Sequence, residues 1–143
     1  MLVEFIKVNE DAILPRKNFK TDSGFDLFSI EELTIPANGS ITTNVGLEVG
    51  YISPKHWFKI EGRSGLGFKK GIVPHFGIID NSYRGLLGIK LFNFSNESVT
   101  IEKGQGIAQM IIYELIDCEV SFAKNHSKGE RNKNGFGSSD LKK

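Results

Sequence analysis

The chain carries a single cysteine, Cys118, among 143 residues. One thiol makes no disulfide within the chain and cannot build a multi-cysteine metal site. The three histidines, His56, His75 and His126, show neither His-x-His nor His-x-x-x-His spacing, so zinc is not expected. No charge of one sign dominates: 18 Lys and Arg stand against 17 Asp and Glu, a net charge of +1. No overall field therefore draws the protein to nucleic acid or to a membrane surface, and neither is expected as a stable partner. Any anion site must be local, made of arginine, lysine and backbone N–H groups. No apolar run is long enough to span a bilayer. Residues 1–7 are apolar, but Glu4 and Lys7 interrupt the uninterrupted core that a secretion signal needs. An intracellular compartment is the simplest reading. No segment sustains a helical period, and no internal repeat is found.

Glycine and phenylalanine are plentiful instead, at 16 and 11 residues. Short β-branched and aromatic runs alternate with glycine and turn residues. Strands are expected over 2–7, 27–30, 33–35, 40–49, 57–60, 86–94, 98–101, 107–115 and 116–122, with Gly50 ending the fourth and Trp57 in the core. Many short strands without β–α alternation predict an all-β sandwich or barrel in one domain, with at most one short helix. From Ala123 onward the chain is polar, with only Phe136 and Leu141 to bury. Residues 1–122 are therefore read as the core and 123–143 as a mobile C-terminal arm.

Four stretches carry candidate chemistry. Residues 77–88 read as a β-hairpin whose turn holds Asp80, Tyr83 and Arg84. Asp80 and Tyr83, three apart in a turn, can face one side, where a carboxylate can deprotonate water and a ring can wall a sugar or base. The same residues also serve an ordinary turn with a packing tyrosine. Residues 61–71 are glycine-rich and basic, and Ser64 could cap a short helix over 65–70 that points N–H groups at an anion. No Gly-Lys-Ser/Thr ends this stretch, so it is not a P-loop. Gln109 lies in an apolar run and needs a partner or faces a site. In the tail, Phe136 between Gly135 and Gly137 follows Arg131 and precedes two serines; such a segment is ordinarily an inert end, and this pattern also suits ordering over a ligand.

Five stretches resemble, in order, the five motifs of the trimeric dUTP pyrophosphatase (dUTPase) family. They are Ser23-Gly24-Phe25-Asp26-Leu27, Gly62-Arg63-Ser64-Gly65-Leu66, residues 77–85, residues 104–111, and Arg131 through Gly135-Phe136-Gly137-Ser138-Ser139. The resemblance implies a jelly roll assembled as a homotrimer, with active sites shared between subunits and each closed by an arm. It implies hydrolysis of dUTP to dUMP and pyrophosphate with Mg2+, which keeps uracil out of DNA and supplies dUMP for dTMP synthesis. Carried onto this sequence, it makes Asp80 the base that activates water and Tyr83 the wall against the deoxyribose, excluding a 2′-hydroxyl. Backbone near Gly77 and Gly88 would pair with the uracil edge, leaving cytosine mismatched. Arg63, Ser64 and Gly65 would contact the phosphates, with Ser64 neutralising developing charge and Gln109 near the α-phosphate. Asp26 would hold a water of the magnesium ion, itself bound mainly by the triphosphate. Arg131 would bind the γ-phosphate, Phe136 would stack on uracil, and Gly137 and Ser138 would complete the lid.

The sequence departs from the family pattern in several places. Gly62 stands for a usual proline, Gln105-Gly106 for an Asp-Arg pair, and Asn132, Asn134 and Asp140 for tail glycines. Pro74-His75-Phe76 occupies the approach to the hairpin, where smaller residues are common. Two other classes are compatible with a compact β fold. A dCTP deaminase-like enzyme would need a base aimed at the pyrimidine ring. A single-strand-binding barrel would interleave basic and aromatic residues along a groove.

Overall fold

A computed structural model describes residues 1–140. Among the described residues there are ten strands and one helix: β1 (Val3–Lys7), β2 (Phe25–Phe28), β3 (Leu33–Ile35), β4 (Ser40–Ile52), β5 (His56–Glu61), α1 (Ser64–Lys70), β6 (Ile72–Pro74), β7 (Gly77–Ile79), β8 (Leu86–Asn93), β9 (Val99–Ile101) and β10 (Gly106–Glu114). Leu141, one of the two apolar arm residues, lies outside them.

Two antiparallel four-stranded sheets, β1-β4-β8-β6 and β2-β10-β5-β7, form the body, and β3 pairs with β9 in a small third sheet. This is the all-β jelly roll that the sequence implied. Strand alternation builds the core. Along β8, Leu87, Ile89 and Leu91 point inward while Leu86, Gly88 and Lys90 point out. On the facing sheet, Phe58 and Ile60 of β5 and Leu27 of β2 are fully covered. Phe58 also meets Phe5 edge-on, with ring centroids 6.3 Å apart.

Strand β4 runs 13 residues, past the expected stop at Gly50. It pairs with β8 along its first half and β1 along its second, and the register shifts between Asn44 and Glu48. Gly46 sits in that shift at φ +70°, where a Cβ would also press on Asn9 and Ala12. Gly50 instead lies flat against β1, where a Cβ would stand 3.2 Å from the Glu4 carbonyl oxygen.

Three further expectations are corrected. The strands β7 and β8 do not pair with each other: β7 joins β5, and β8 joins β4 and β6. The turn between them therefore hands the chain from one sheet to the other, a geometry that a strand–turn–strand pattern cannot distinguish from a hairpin. Residues 116–122 form no strand, and Ile116, Val120 and Phe122 are 81%, 90% and 107% exposed. Their apolar pattern is right for a strand, but no ladder among the described residues receives it. Trp57 is only half-buried: it stacks on Tyr113 at 4.9 Å and donates its Nε1 hydrogen to the Glu114 carbonyl at 3.2 Å.

Candidate active site

The sheet register assembles one half of the site. On β10, Gln109 stands opposite Asp26 of β2 on one side and Glu61 of β5 on the other. The chain leaving β5 at Glu61 runs directly into Gly62, Arg63 and α1, so residues far apart in sequence share one rim. Gln109 donates its Nε2 hydrogen to the Gly62 carbonyl at 2.8 Å. Its Oε1 lies against Gly24, where any Cβ would collide with it. The lone polar side chain in an apolar strand thus has a partner and also faces a cavity.

Arg63 bridges the same elements. Its Nε is 3.0 Å from Asp26 Oδ1, and Nη1 donates to the Gly106 carbonyl at 3.1 Å. A Cβ on Gly106 would stand 2.9 Å from Arg63 Cζ, so the residue in place of the usual arginine makes room for this guanidinium. Helix α1 begins at Ser64 itself, with Arg63 as N-cap and no side-chain cap; the expected Ser64 cap is not formed. Gly71 closes the helix at φ 69°, donating to the Gly67 and Leu66 carbonyls.

These groups surround a cavity of about 490 Å³ lined by Asp26, Arg63, Ser64, Gly65, Gly24 and Gln109, together with Asn18, Phe19, Asp22 and Ser23. A second hollow of about 380 Å³, past Gly62, shares Arg63, Ser64 and Gln109. The first, second and fourth motif-like stretches thus converge. Sequence reasoning missed the contributions of Asn18 and Phe19. The only available signal was an apolar ring in a polar loop, and Phe19 is 66% exposed there. Asp22 braces that loop by accepting the Phe19 N–H at 2.8 Å.

The turn after β7 is the other half. Asp80 is exposed, and its carbonyl accepts the Tyr83 N–H at 3.0 Å. The Tyr83 ring folds over Gly85, where a Cβ would come within 2.7 Å of Cζ, and its hydroxyl donates to the Leu86 carbonyl at 2.7 Å. Arg84 Nη1 donates to the carbonyls of Asn81 and Tyr83 at 2.7 and 2.8 Å. Gly77 is tight against Ile60, with 3.2 Å from a notional Cβ to the Ile60 Cβ, whereas at Gly88 the nearest atom, the Thr43 carbonyl oxygen, is 3.9 Å away.

These two halves sit at opposite ends of one strand. Ile79 pairs with Phe58 near the start of β5, and Asn81 donates to the His56 carbonyl at 2.8 Å. Arg63 and Ser64 follow the far end of the same strand. Six residues of extended chain span about 20 Å, so one protomer does not bring Asp80 to Ser64 and Gln109. The described part of the arm, up to residue 140, joins neither half. Arg131 donates to the carbonyls of Asn134 and Gly135 at 3.1 and 2.8 Å, Ser138 N–H bonds back to Gly135, and Phe136 is fully exposed. Gly137 takes φ +81° in that local turn.

Among the described residues no group of three or more His, Cys, Asp or Glu is gathered. Among the described residues, the carboxylates lining the cavity of about 490 Å³ are Asp22 and Asp26. Beside it, Lys59 Nζ lies 2.8 Å from Glu61 Oε1 on the outer face of β5. That hydrogen bond holds the Lys59 ammonium above the usual lysine range, against a smaller opposing effect of desolvation.

The sequence model for dUTPase matches residues 10–140. The chain is 38% identical over 144 residues to the deoxyuridine 5′-triphosphate nucleotidohydrolase of Clostridium novyi (strain NT), covering 99% of each chain. It is 36% identical over 136 residues to the protein of the same description from Yarrowia lipolytica, covering 94% of this chain and 86% of that one. In three dimensions it is similar to the Staphylococcus bacteriophage 80alpha dUTPase solved with dUPNHPP, at a TM-score of 0.87 and 27% identity, covering 98% of this chain and 99% of that one. With jelly-roll body, motif order and near-full-length similarity in agreement, the chain belongs to the dUTPase family.

Proposed function

We propose that the protein hydrolyses dUTP to dUMP and pyrophosphate as a homotrimer, acting inside the cell to limit uracil incorporation into DNA and to supply dUMP for dTMP synthesis. The observation that carries this reading is the division of the candidate site. Three motif-like stretches converge on one cavity, while Asp80 and Tyr83 stand a strand-length away on the same chain. A second copy supplying its turn to this cavity would complete the constellation. The exposed Ile116, Val120 and Phe122 are further surface that an assembly would cover.

In the complete site, Asp80 accepts a proton from water as the water oxygen attacks the α-phosphorus. The bond from that phosphorus to the oxygen bridging to the β-phosphate breaks, and pyrophosphate leaves with the electron pair. Arg63 offers a guanidinium, and the uncapped first turn of α1 offers N–H groups, to the phosphates. Ser64 and Gln109 face the same hollow and stabilise charge that develops on the phosphoryl oxygens. Tyr83 walls the deoxyribose, and backbone around Gly77 and Gly88 reads the base. The arm, residues 123–143, folds over the nucleotide, with Arg131 on the γ-phosphate, Phe136 stacked on uracil, and Gly137 and Ser138 in the closing turn.

The residues present fit a magnesium ion held chiefly by its substrate. Both carboxylates of the cavity are engaged, Asp22 with the Phe19 N–H and Asp26 with Arg63, and Asp26, beside the proposed phosphate ligand, would hold a metal-bound water. When bound, the ion would neutralise phosphate charge. The deciding measurement is pyrophosphate release with Mg2+ across dUTP, UTP and the four standard dNTPs. Turnover confined to dUTP is expected; ammonia release from dCTP without pyrophosphate, or no turnover of any nucleotide, would overturn the reading.

A further inference from the structure

The turn that carries Asp80 has no ladder to hold it, because the strands on its two sides belong to different sheets. Its far end is held to β4 by the Val49 N–H on the Gly85 carbonyl at 3.1 Å; at the Asp80 end, the tie to the body is the side chain of Asn81. The Asn81 Nδ2 group points into a nest of three carbonyls: His56 at 2.8 Å, Ser53 at 2.9 Å and Ile52 at 3.4 Å. An amide nitrogen has two hydrogens, so the two short contacts use both and the third is a weaker shared one.

Those carbonyls belong to a segment that is itself immobilised. Ser53 exchanges hydrogen bonds with Leu2, whose N–H reaches Ser53 Oγ at 2.7 Å. Ser53 N–H in turn donates to the Leu2 carbonyl at 2.9 Å. Lys55 accepts the Leu115 N–H at 2.7 Å. The link from β4 to β5 is thus pinned to both β1 and the end of β10, and it offers its spare carbonyls to Asn81. Asn81 is half-buried while its neighbour Asp80 is exposed. An apolar side chain would leave the carbonyls unpaired, and an aspartate would set a carboxylate against them.

We infer that Asn81 is a positioning residue for the Asp80 carboxylate: its amide fixes the turn on the β4–β5 link so that Asp80 is presented in one orientation. The inference rests on the proposed dUTP hydrolysis, in which Asp80 activates water. Misplacement of a reacting group by about 1 Å can cost on the order of a hundredfold in rate. Asn81 touches no part of the phosphate-binding cavity, so binding through the phosphates should be spared, and any loss of affinity through Tyr83 on the same turn should be smaller than the loss of kcat.

The full-length wild-type protein is first tested for pyrophosphate release from dUTP; inactivity there defeats the functional reading itself. Asn81→Ala is then expected to lower kcat on the order of a hundredfold, with a loss of affinity for non-hydrolysable dUpNHpp, through Tyr83 on the same turn, of no more than about tenfold. Asn81→Ser, which keeps one donor, should fall between, and it serves if the alanine variant does not fold. In an Asp80→Ala background, Asn81→Ala should cause no further loss, since it acts through the missing carboxylate. Amide exchange over residues 80–85 should speed up in Asn81→Ala, a readout independent of activity. An unchanged kcat, an equal loss of analogue affinity, additive losses in the double variant, or unchanged exchange in the turn would each overturn the inference.

Discussion

Asp26 and Arg63 hold each other in the lining of the cavity, Nε to Oδ1 at 3.0 Å and Nη2 to Oδ2 at 3.4 Å. The Arg63 side chain is 37% exposed, so this pair adds little to stability, within about 1 kcal/mol. Its importance is electrostatic: the proposed phosphate ligand and the proposed holder of a metal-bound water neutralise one another. Arg63→Ala is expected to raise the KM for dUTP by about tenfold or more, the worth of a charge-assisted hydrogen bond, with little change in Tm. Asp26→Asn is expected to raise the Mg2+ concentration needed for half-maximal rate. An active Asp26→Asn enzyme with unchanged Mg2+ dependence would remove Asp26 from the metal's surroundings.

Asp80→Asn keeps the shape of the turn and removes the base. The expected result is retained binding of dUpNHpp with turnover lowered by several orders of magnitude, on the order of 10³-fold or more. Isothermal titration and single-turnover kinetics separate the two effects. Substantial residual turnover would assign the proton to another group.

Tyr83 and Gly85 form a unit, because the ring lies where a Cβ on residue 85 would be. Tyr83→Ala should relax discrimination between dUTP and UTP. Gly85→Ala should do much the same by pushing the ring aside, while every side chain at the site remains. The ratio of kcat/KM for the two nucleotides measures both. A ratio unmoved by either change would mean that the ring does not stand against the sugar.

A chain ending at Ala123 should fold and assemble, since residues 124–140 make their hydrogen bonds among themselves and are exposed. Its turnover should fall on the order of tenfold to a hundredfold through loss of closure. Size-exclusion chromatography with light scattering reads the first outcome and steady-state kinetics the second. An unfolded product would make the arm structural.

Strand positions were largely legible in the sequence because alternation is a local signal: Leu87, Ile89 and Leu91 announce their face without help from the rest of the chain. Pairing was not, because it depends on which edge is open. The run 77–88 looks like a hairpin by every local rule, yet Ile79 seeks Phe58 and Leu86 seeks Glu48. The same limit applies to 116–122, whose pattern is that of a strand and which pairs with no strand among the described residues. At the candidate site, Arg63, Ser64, Asp26 and Gln109 were found through motif resemblance, and the cavity brings them together. The role of Asn81 was invisible because its three acceptors are main-chain atoms, which leave no trace in residue identity.

The length of β5 has a consequence for how the protein would behave in a mixture. With Asp80 beyond one end and Gln109 beside the other, no isolated protomer contains the whole of the proposed reaction centre. Dilution should therefore extinguish turnover before it unfolds the chain. Blending two dead versions, one lacking the acid and one lacking the amide, should restore partial activity, because some hybrid particles would marry an intact turn to an intact cavity.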